Sequence, residues 1–298
     1  MVKRLLDCNA SDFAGFSKEE LLESIKAAEG RTVCSEMVAE RPSVGGNLTN
    51  AEVAKAFGAD LMLLNGFDVL KPVVYGVDRD KETIQELKRL VGRPIGCNLE
   101  PVDLDSRMLE ERIEIPKGRI TSEETFRAAN ELGIDFICLT GNPGTGVSNQ
   151  EIYEQIKLAK QIYQGIIIAG KMHGAGTAEP VLTVEVAKQF IEAGADILLT
   201  PAVGTIPGFN LQMLTEIVEY AHQAKGMVMT AIGTSQETSS PHVVEDMAIQ
   251  NKIAGVDIQH IGDAGYGGLA NVDNIYTLSA AIRGHRHTIN RIASSVVR

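Results

Sequence analysis

The sequence has little of several features that mark particular protein classes. It contains four cysteines, and no pair among Cys8, Cys34, Cys97 and Cys138 has the spacing of metal ligands. Three of them lie in predicted strands, where a free cysteine behaves as a small apolar residue, so we expect a reduced, cytoplasmic protein. No apolar run is long enough to span a bilayer and no apolar signal region opens the chain, so we expect no membrane partner.

Positive charge is also scarce. The 298 residues carry a formal net charge of -11, and the single basic concentration is Arg283, His285, Arg286 and His287. This balance argues against nucleic acid as a partner. An acidic protein can still bind an anion where backbone amides supply the local field.

Eight short apolar segments recur along the chain, each followed by a glycine-rich or polar loop and a helical stretch. They are residues 32–39, 60–67, 94–100, 135–141, 165–173, 196–202, 227–233 and 257–263. Strands that alternate with helices form parallel sheets, and eight such units predict an α/β fold of the (β/α)8 TIM-barrel type. An open doubly wound sheet is the rival, but the even repeat without a long linker favours the closed barrel.

One domain is expected to span residues 1–298. Residues 1–31 form a helical extension, in which Ser17 and Glu20 make a capping box, residues 32–284 form the barrel, and residues 285–298 form a tail. The tail either covers the barrel or meets a second copy in a homo-oligomer. Residues 101–120 are too long for an ordinary loop after strand three, and are either a lid or a surface excursion.

Polar residues end the predicted strands, where TIM barrels carry their chemistry. The catalytic candidates are Lys171, Glu36, His173 and Glu100, and the substrate-binding candidates are Asn65, Asn98, Asn142 and His260. Lys171 is a Schiff-base amine, a fixed cation or a rim lysine in solvent. Strand alternation predicts that Lys171 and His173 point the same way, and His173 is either a general acid–base or a structural histidine.

Glycine-rich loops after strands seven and eight indicate a phosphate site, because glycines let backbone amides approach an anion. The candidate phosphate-binding residues are Gly233, Thr234, Ser235, Gly262, Gly265, Gly267 and Gly268. Asp263 lies among them and would repel a phosphate, so it either binds a hydroxyl or ammonium group, points away, or serves as a metal ligand.

The Gly-Ala-Asp strand starts and the paired loops at Gly233 and Gly262 resemble the aldolase-type TIM barrels, in particular the ribulose-phosphate-binding barrels. The resemblance implies the fold and a phosphate site rather than a reaction. The phosphoenolpyruvate mutase and isocitrate lyase barrels use an acidic Mg²⁺ site. Glu36, Glu100 and Asp263 could supply carboxylates for one here, although no clustered acidic motif of that family is present.

The leading functional prediction is an enzyme that acts on a small phosphorylated, sugar phosphate-like metabolite. It would be an aldolase-type C–C lyase or an isomerase working through an enediolate, with no required cofactor, no assigned metal ligand, and Mg²⁺ left open. The alternatives are a Mg²⁺-dependent phosphoenolpyruvate mutase or isocitrate lyase-like enzyme, and a non-catalytic metabolite-binding regulatory barrel.

Overall fold

The computed structural model describes residues 2–78 and 82–298, and within them eight parallel strands form a closed barrel in chain order. The strands are β1 (Thr32–Val38), β2 (Leu61–Asn65), β3 (Ile95–Leu99), β4 (Phe136–Leu139), β5 (Ile166–Gly170), β6 (Ile197–Pro201), β7 (Met227–Ile232) and β8 (Ile258–Ile261). Each strand pairs with the next, and β8 closes the barrel on β1, with Cys34 opposite His260. The predicted (β/α)8 TIM barrel is confirmed.

Helices alternate with the strands and cover the outside of the barrel. They are α1 (Ala10–Gly15), α2 (Lys18–Lys26), α3 (Asn50–Ala56), α4 (Thr83–Val91), α5 (Glu123–Glu131), α6 (Asn149–Ile162), α7 (Val184–Ala193), α8 (Leu211–Gln223), α9 (Pro241–Ala254) and α10 (Val272–Ala293). The capping box predicted at Ser17 and Glu20 is present. The sequence also predicts a start of α4 at Asp80 or Lys81, which lie outside the described residues.

Side-chain alternation divides each strand between two apolar clusters. Inward residues such as Leu63 and Ile168 join Leu6 and Ile25 of the N-terminal extension in a cluster inside the barrel, while outward residues pack under the helices. The extension therefore closes the N-terminal end of the barrel, as expected for a helical segment that precedes β1. The space inside is tightly filled, since a Cβ built on Gly96 would lie 2.2 Å from the Phe136 ring.

The four Gly-X-Asp strand starts share one structural role. The Oδ2 atoms of Asp60, Asp135, Asp196 and Asp257 accept hydrogen bonds from the amides of Val33, Ile95, Ile167 and Val228, at 2.8–2.9 Å. Each aspartate precedes an even-numbered strand and binds the start of the strand before it. The barrel is thus made of four repeated two-strand units, which explains why the motif occurs at every second strand.

Two segments differ from simple expectation. The chain bends at Gly284, where φ is 73°, and then continues as helix to Ala293, so the predicted tail is largely helical. Residues 101–120 lie along the loops that follow β4 and β5, with bridges from Val102 to Val147 and from Met108 to Thr177. No helix in the described ranges is both long and apolar enough to cross a membrane.

Candidate active site

A cavity of about 420 Å³ opens at the C-terminal end of the barrel. Its polar lining includes Glu36, Asn65, Asn98, Asn142, His173, Glu237, Asp263 and Tyr266. Glu36, Asn65 and Asn98 come from β1, β2 and β3, in the same alternation that points Cys34, Leu63 and Gly96 into the barrel. The strand ends therefore bring together the polar groups expected there.

Three asparagines form one hydrogen-bonded network across the wall of the cavity. Asn65 and Asn142 bond reciprocally through their amides at 2.8 and 2.9 Å. Asn65 Nδ2 also donates to Asp263 Oδ2 at 2.7 Å. Asn98 Nδ2 donates to Glu36 Oε1 at 2.6 Å and to Asn65 Oδ1 at 3.1 Å. The network fixes the rotamers of the two carboxyl groups, so it holds Glu36 and Asp263 in defined positions.

The carboxyl groups of the cavity are poorly solvated. Burial raises the pKa of Asp263 from 3.8 to about 6, and the nearby charge of Glu36 adds to that rise. Burial also raises the pKa of Glu237, whose Oε2 atom is buried and finds no hydrogen-bond partner among the described residues. A carboxyl group that changes protonation near neutral pH is suited to general acid–base work.

Two predicted histidines lie near these carboxyl groups in different settings. His173 lines the cavity, and its Nδ1 accepts the Ala175 amide hydrogen at 3.0 Å, which assigns the proton of the neutral ring to Nε2. Burial lowers the pKa of His173, so the ring is neutral at pH 7. His260 is fully buried inside the barrel, with Nε2 3.4 Å from Glu36 Oε2.

Glu100 supports the cavity wall from behind instead of lining it. Its carboxylate accepts from the amide nitrogen of Asn142 at 2.9 Å and from Asn142 Nδ2 at 2.8 Å. Arg119 Nη2 donates to the same carboxylate at 2.6 Å and to the Tyr266 hydroxyl at 3.3 Å. Glu100 thus positions Asn142, and Arg119 connects it to the loop after β8.

Lys171 does not line the cavity, and the alternation argument that paired it with His173 fails. β5 ends at Gly170, where φ is +149°, and Met172 takes the inward direction beyond it. The Lys171 amine is buried 2.5 Å from Glu179 Oε1 and 3.3 Å from the Val147 carbonyl oxygen. Burial lowers its pKa while Glu179 opposes that effect. Lys171 connects two loops behind the site.

The predicted phosphate-binding residues are only partly brought together. Gly233, Thr234, Ser235, Gly262 and Gly265 line the cavity. The amides of Gly267 and Gly268 instead donate to Ala264 and to the Asp263 carbonyl, at 3.0 and 3.2 Å. Among the described residues that line the cavity, three are carboxylic acids and none is lysine or arginine. This charge opposes a phosphate at the expected position.

The backbone of these two loops is strained. Thr234, Ser235, Ala264 and Tyr266 have positive φ angles of 53°, 79°, 60° and 66°, which side-chain-bearing residues rarely adopt. Such strain concentrates at ligand-binding sites. Glu237 and Tyr266 were not predicted from the sequence, although both lie within the glycine-rich loops that were singled out.

Metal binding has limited support. Within residues 2–78 and 82–298, no group of three or more His, Cys, Asp or Glu side chains is placed to hold a metal ion.

A family model described as "Domain of unknown function (DUF7916)" matches residues 6–298. The chain belongs to this family. No curated protein matches the DUF7916 chain.

Solved structures share the fold of the DUF7916 chain at low identity. A thiamine phosphate pyrophosphorylase from Pyrococcus furiosus is 16% identical with a TM-score of 0.50, covering 86% of this chain and 97% of that one. A 2,3-dimethylmalate lyase of the PEP mutase/isocitrate lyase superfamily is 14% identical at 0.51, covering 82% and 80%. A proposed fructose-1,6-bisphosphate aldolase from Coccidioides immitis is 14% identical at 0.52, covering 94% and 97%. These likenesses agree with the TIM-barrel fold.

Proposed function

We propose that this DUF7916 protein is an enzyme that transfers protons on a small, oxygen-rich carbonyl compound, as in an aldolase-type C–C cleavage or an isomerisation through an enediolate. The observation that carries the proposal is the pair of carboxyl groups, Glu36 and Asp263, held on one cavity wall by Asn98 and Asn65. Enediolate chemistry needs a positioned base, a positioned acid and a hydrogen-bond donor for the developing oxyanion.

The residues divide into these roles by their surroundings. Glu36 is the base, because its Oε1 is fixed by Asn98 and the group borders the cavity. Asp263 is the acid, since its pKa of about 6 leaves part of its population protonated near neutral pH. The neutral ring of His173 supplies an Nε2–H donor for an oxyanion without adding positive charge to the site.

The substrate is better matched by hydroxyl and carbonyl groups than by a phosphate. Asparagine amides donate hydrogen bonds to substrate hydroxyls and accept hydrogen bonds from them. Thr234 and Ser235 contribute hydroxyl groups to the same lining. The three carboxyl groups of the lining would repel a dianion. A phosphorylated substrate stays a prediction of the sequence, and the first experiment separates the two cases.

The first experiment is a thermal-shift screen of matched pairs, each a hydroxyaldehyde, hydroxyketone or keto acid with and without its phosphate. A ligand at 100 times its Kd adds about 2.7 kcal/mol of stability. Larger shifts from the unphosphorylated members would support the proposal, and larger shifts from the phosphorylated members would restore the phosphate site. Shifts that vanish with EDTA would favour the Mg²⁺-dependent alternative.

The second experiment measures proton abstraction directly. The best ligand is incubated with the protein in D₂O, and loss of its C–H signal is followed by NMR. Glu36→Gln should slow the exchange by about 10²–10⁴-fold, the usual contribution of a general base. Glu40→Gln, on the exposed residue just beyond β1, is the matched control and should exchange normally. Ligand binding without any exchange would identify the non-catalytic regulatory barrel.

A further inference from the structure

The opposite end of the barrel buries an excess of positive charge. Asp60 is fully buried and pairs with Arg283 at 2.5 Å and with Arg291 at 2.8 Å. Arg93 lies next to this group and is 2% exposed. Three guanidinium groups therefore face one carboxylate, and an uncompensated buried charge is costly unless another group pairs with it.

Arg93 and Arg291 of this group each have a buried donor without a hydrogen-bond partner among the described residues, and Arg93 is the one that lines a cavity. Its Nη1 and Nη2 atoms donate to the carbonyl oxygens of Gly92 and Arg291 at 2.9 and 3.0 Å. Its Nε atom is buried without a hydrogen-bond partner among the described residues. Burial and the charge of Arg291 lower the pKa of Arg93 to about 9, while Asp60 opposes that effect.

A second cavity, of about 480 Å³, lies against Arg93 on this face. Its wall includes Phe13, Lys88, Arg89, Arg298 and Asp135. Asp135, the single side-chain carboxylate among these, is paired with Lys88 at 2.6 Å, and Arg89 is paired with Glu86 at 2.7 Å. The guanidinium carbon of Arg93 lies over the Phe13 ring, 5.7 Å from its centroid, in a cation–π contact. Arg93, which has no ion pair among the described residues, therefore supplies positive charge to this cavity, and the cavity is separate from the candidate active site.

We propose that this cavity is a second ligand site, which binds a small oxyanion of the carboxylate or phosphate class through Arg93, with Arg89 at its entrance. A planar guanidinium matches two oxygens of either anion, and a bound anion would pair with the buried excess charge. The site lies where α1, the end of α4 and residues 296–298 meet, and the Ser11 amide already donates to the Arg298 carbonyl oxygen at 2.9 Å. Anion binding would therefore fasten the chain's two terminal segments to the barrel.

The test is calorimetric titration of the full chain with inorganic phosphate and, separately, with acetate, at constant ionic strength. The anion that binds with the higher affinity identifies the class of ligand. Arg93→Gln should weaken binding at least about 10-fold, which corresponds to the loss of one charge-assisted contact. Arg127→Gln removes an arginine paired with Glu123 on the exposed side of α5, and should bind as the wild type does.

Two further variants keep the result decisive. Ser235→Ala alters the other cavity, so phosphate binding that is lost in Ser235→Ala and kept in Arg93→Gln would place the anion there and overturn the proposal. If Arg93→Gln does not fold, Arg89→Gln, whose side chain is 67% exposed, replaces it and should weaken binding about 2-fold or more. No saturable binding of either anion by the wild type, or equal affinity in whichever arginine variant folds, would overturn the proposal.

Discussion

Replacing Asp263 with asparagine should stabilise the folded protein at alkaline pH. Folding raises the pKa of this carboxyl group from 3.8 to about 6, so the folded state holds the proton more tightly than the unfolded state does. Ionisation of Asp263 therefore destabilises the folded state. This destabilisation is absent below pH 3.8, grows between pH 3.8 and 6, and is complete above pH 6. The difference between the two pKa values corresponds to about 3 kcal/mol.

The net gain is smaller because the amide makes poorer contacts. Asp263 Oδ2 accepts from Asn65 Nδ2 at 2.7 Å, and an NH₂ group in that place would forfeit about 1 kcal/mol. Oδ1 can still accept the Tyr266 amide hydrogen, at 3.2 Å in the wild type. We therefore expect Asp263→Asn to gain about 1–2 kcal/mol at pH 8, or a few degrees in Tm.

Urea unfolding of wild type and Asp263→Asn at pH 4 and pH 8 measures this directly. The advantage of the variant should be present at pH 8 and vanish or reverse at pH 4, where the folded wild type holds the proton and the penalty of ionisation is small. Asp246→Asn, on the exposed side of α9, is the control and should show no such difference. A variant that is less stable than the wild type at pH 8, by the same margin as at pH 4, would refute the reasoning.

Three other perturbations test the barrel and its residues. Gly96→Ala should destabilise the protein by about 1–3 kcal/mol, because its Cβ would lie 2.2 Å from the Phe136 ring, and adding Phe136→Leu should restore part of the loss in chemical denaturation. Asp60→Asn should cost about 3–5 kcal/mol, since it removes the carboxylate that pairs with the buried Arg283, and a thermal melt would show it. Borohydride treatment with a carbonyl ligand should leave the mass of the protein unchanged, because Lys171 is ion-paired outside the cavity, whereas a reduced adduct on Lys171 would restore the Schiff-base hypothesis.

The fold could be predicted because its signals are local. Each Gly-X-Asp start combines a left-handed helix end with an aspartate that binds the preceding strand, and Gly194 and Asp196 show both parts. The same short sequence forms this unit at each position, so its four copies indicate that the two-strand unit is repeated. The bend at Gly284 was also marked by its glycine, but the helix beyond it depends on Arg291, whose partner Asp60 is 231 residues away.

The sequence predicts the direction of a site side chain only where the residue belongs to a regular strand. Glu36, Asn65 and Asn98 line the cavity because they belong to, or directly end, regular strands whose alternation is fixed. Lys171 lies one residue past the end of β5, where alternation no longer applies. Glu237 depends on a loop with two consecutive left-handed residues, a conformation that the sequence does not specify.

The choice between amides and carboxyl groups in the cavity separates a structural role from a chemical one. Asn65, Asn98 and Asn142 already show that amides fill this wall and hydrogen-bond to one another. A purely structural network would gain from amides at Glu36 and Asp263 as well, since burying these carboxyl groups side by side raises the pKa of Asp263 and lowers stability at neutral pH. An amide does not transfer a proton at neutral pH, whereas a carboxyl group does. This difference supports the proposed role of Glu36 and Asp263 in proton transfer.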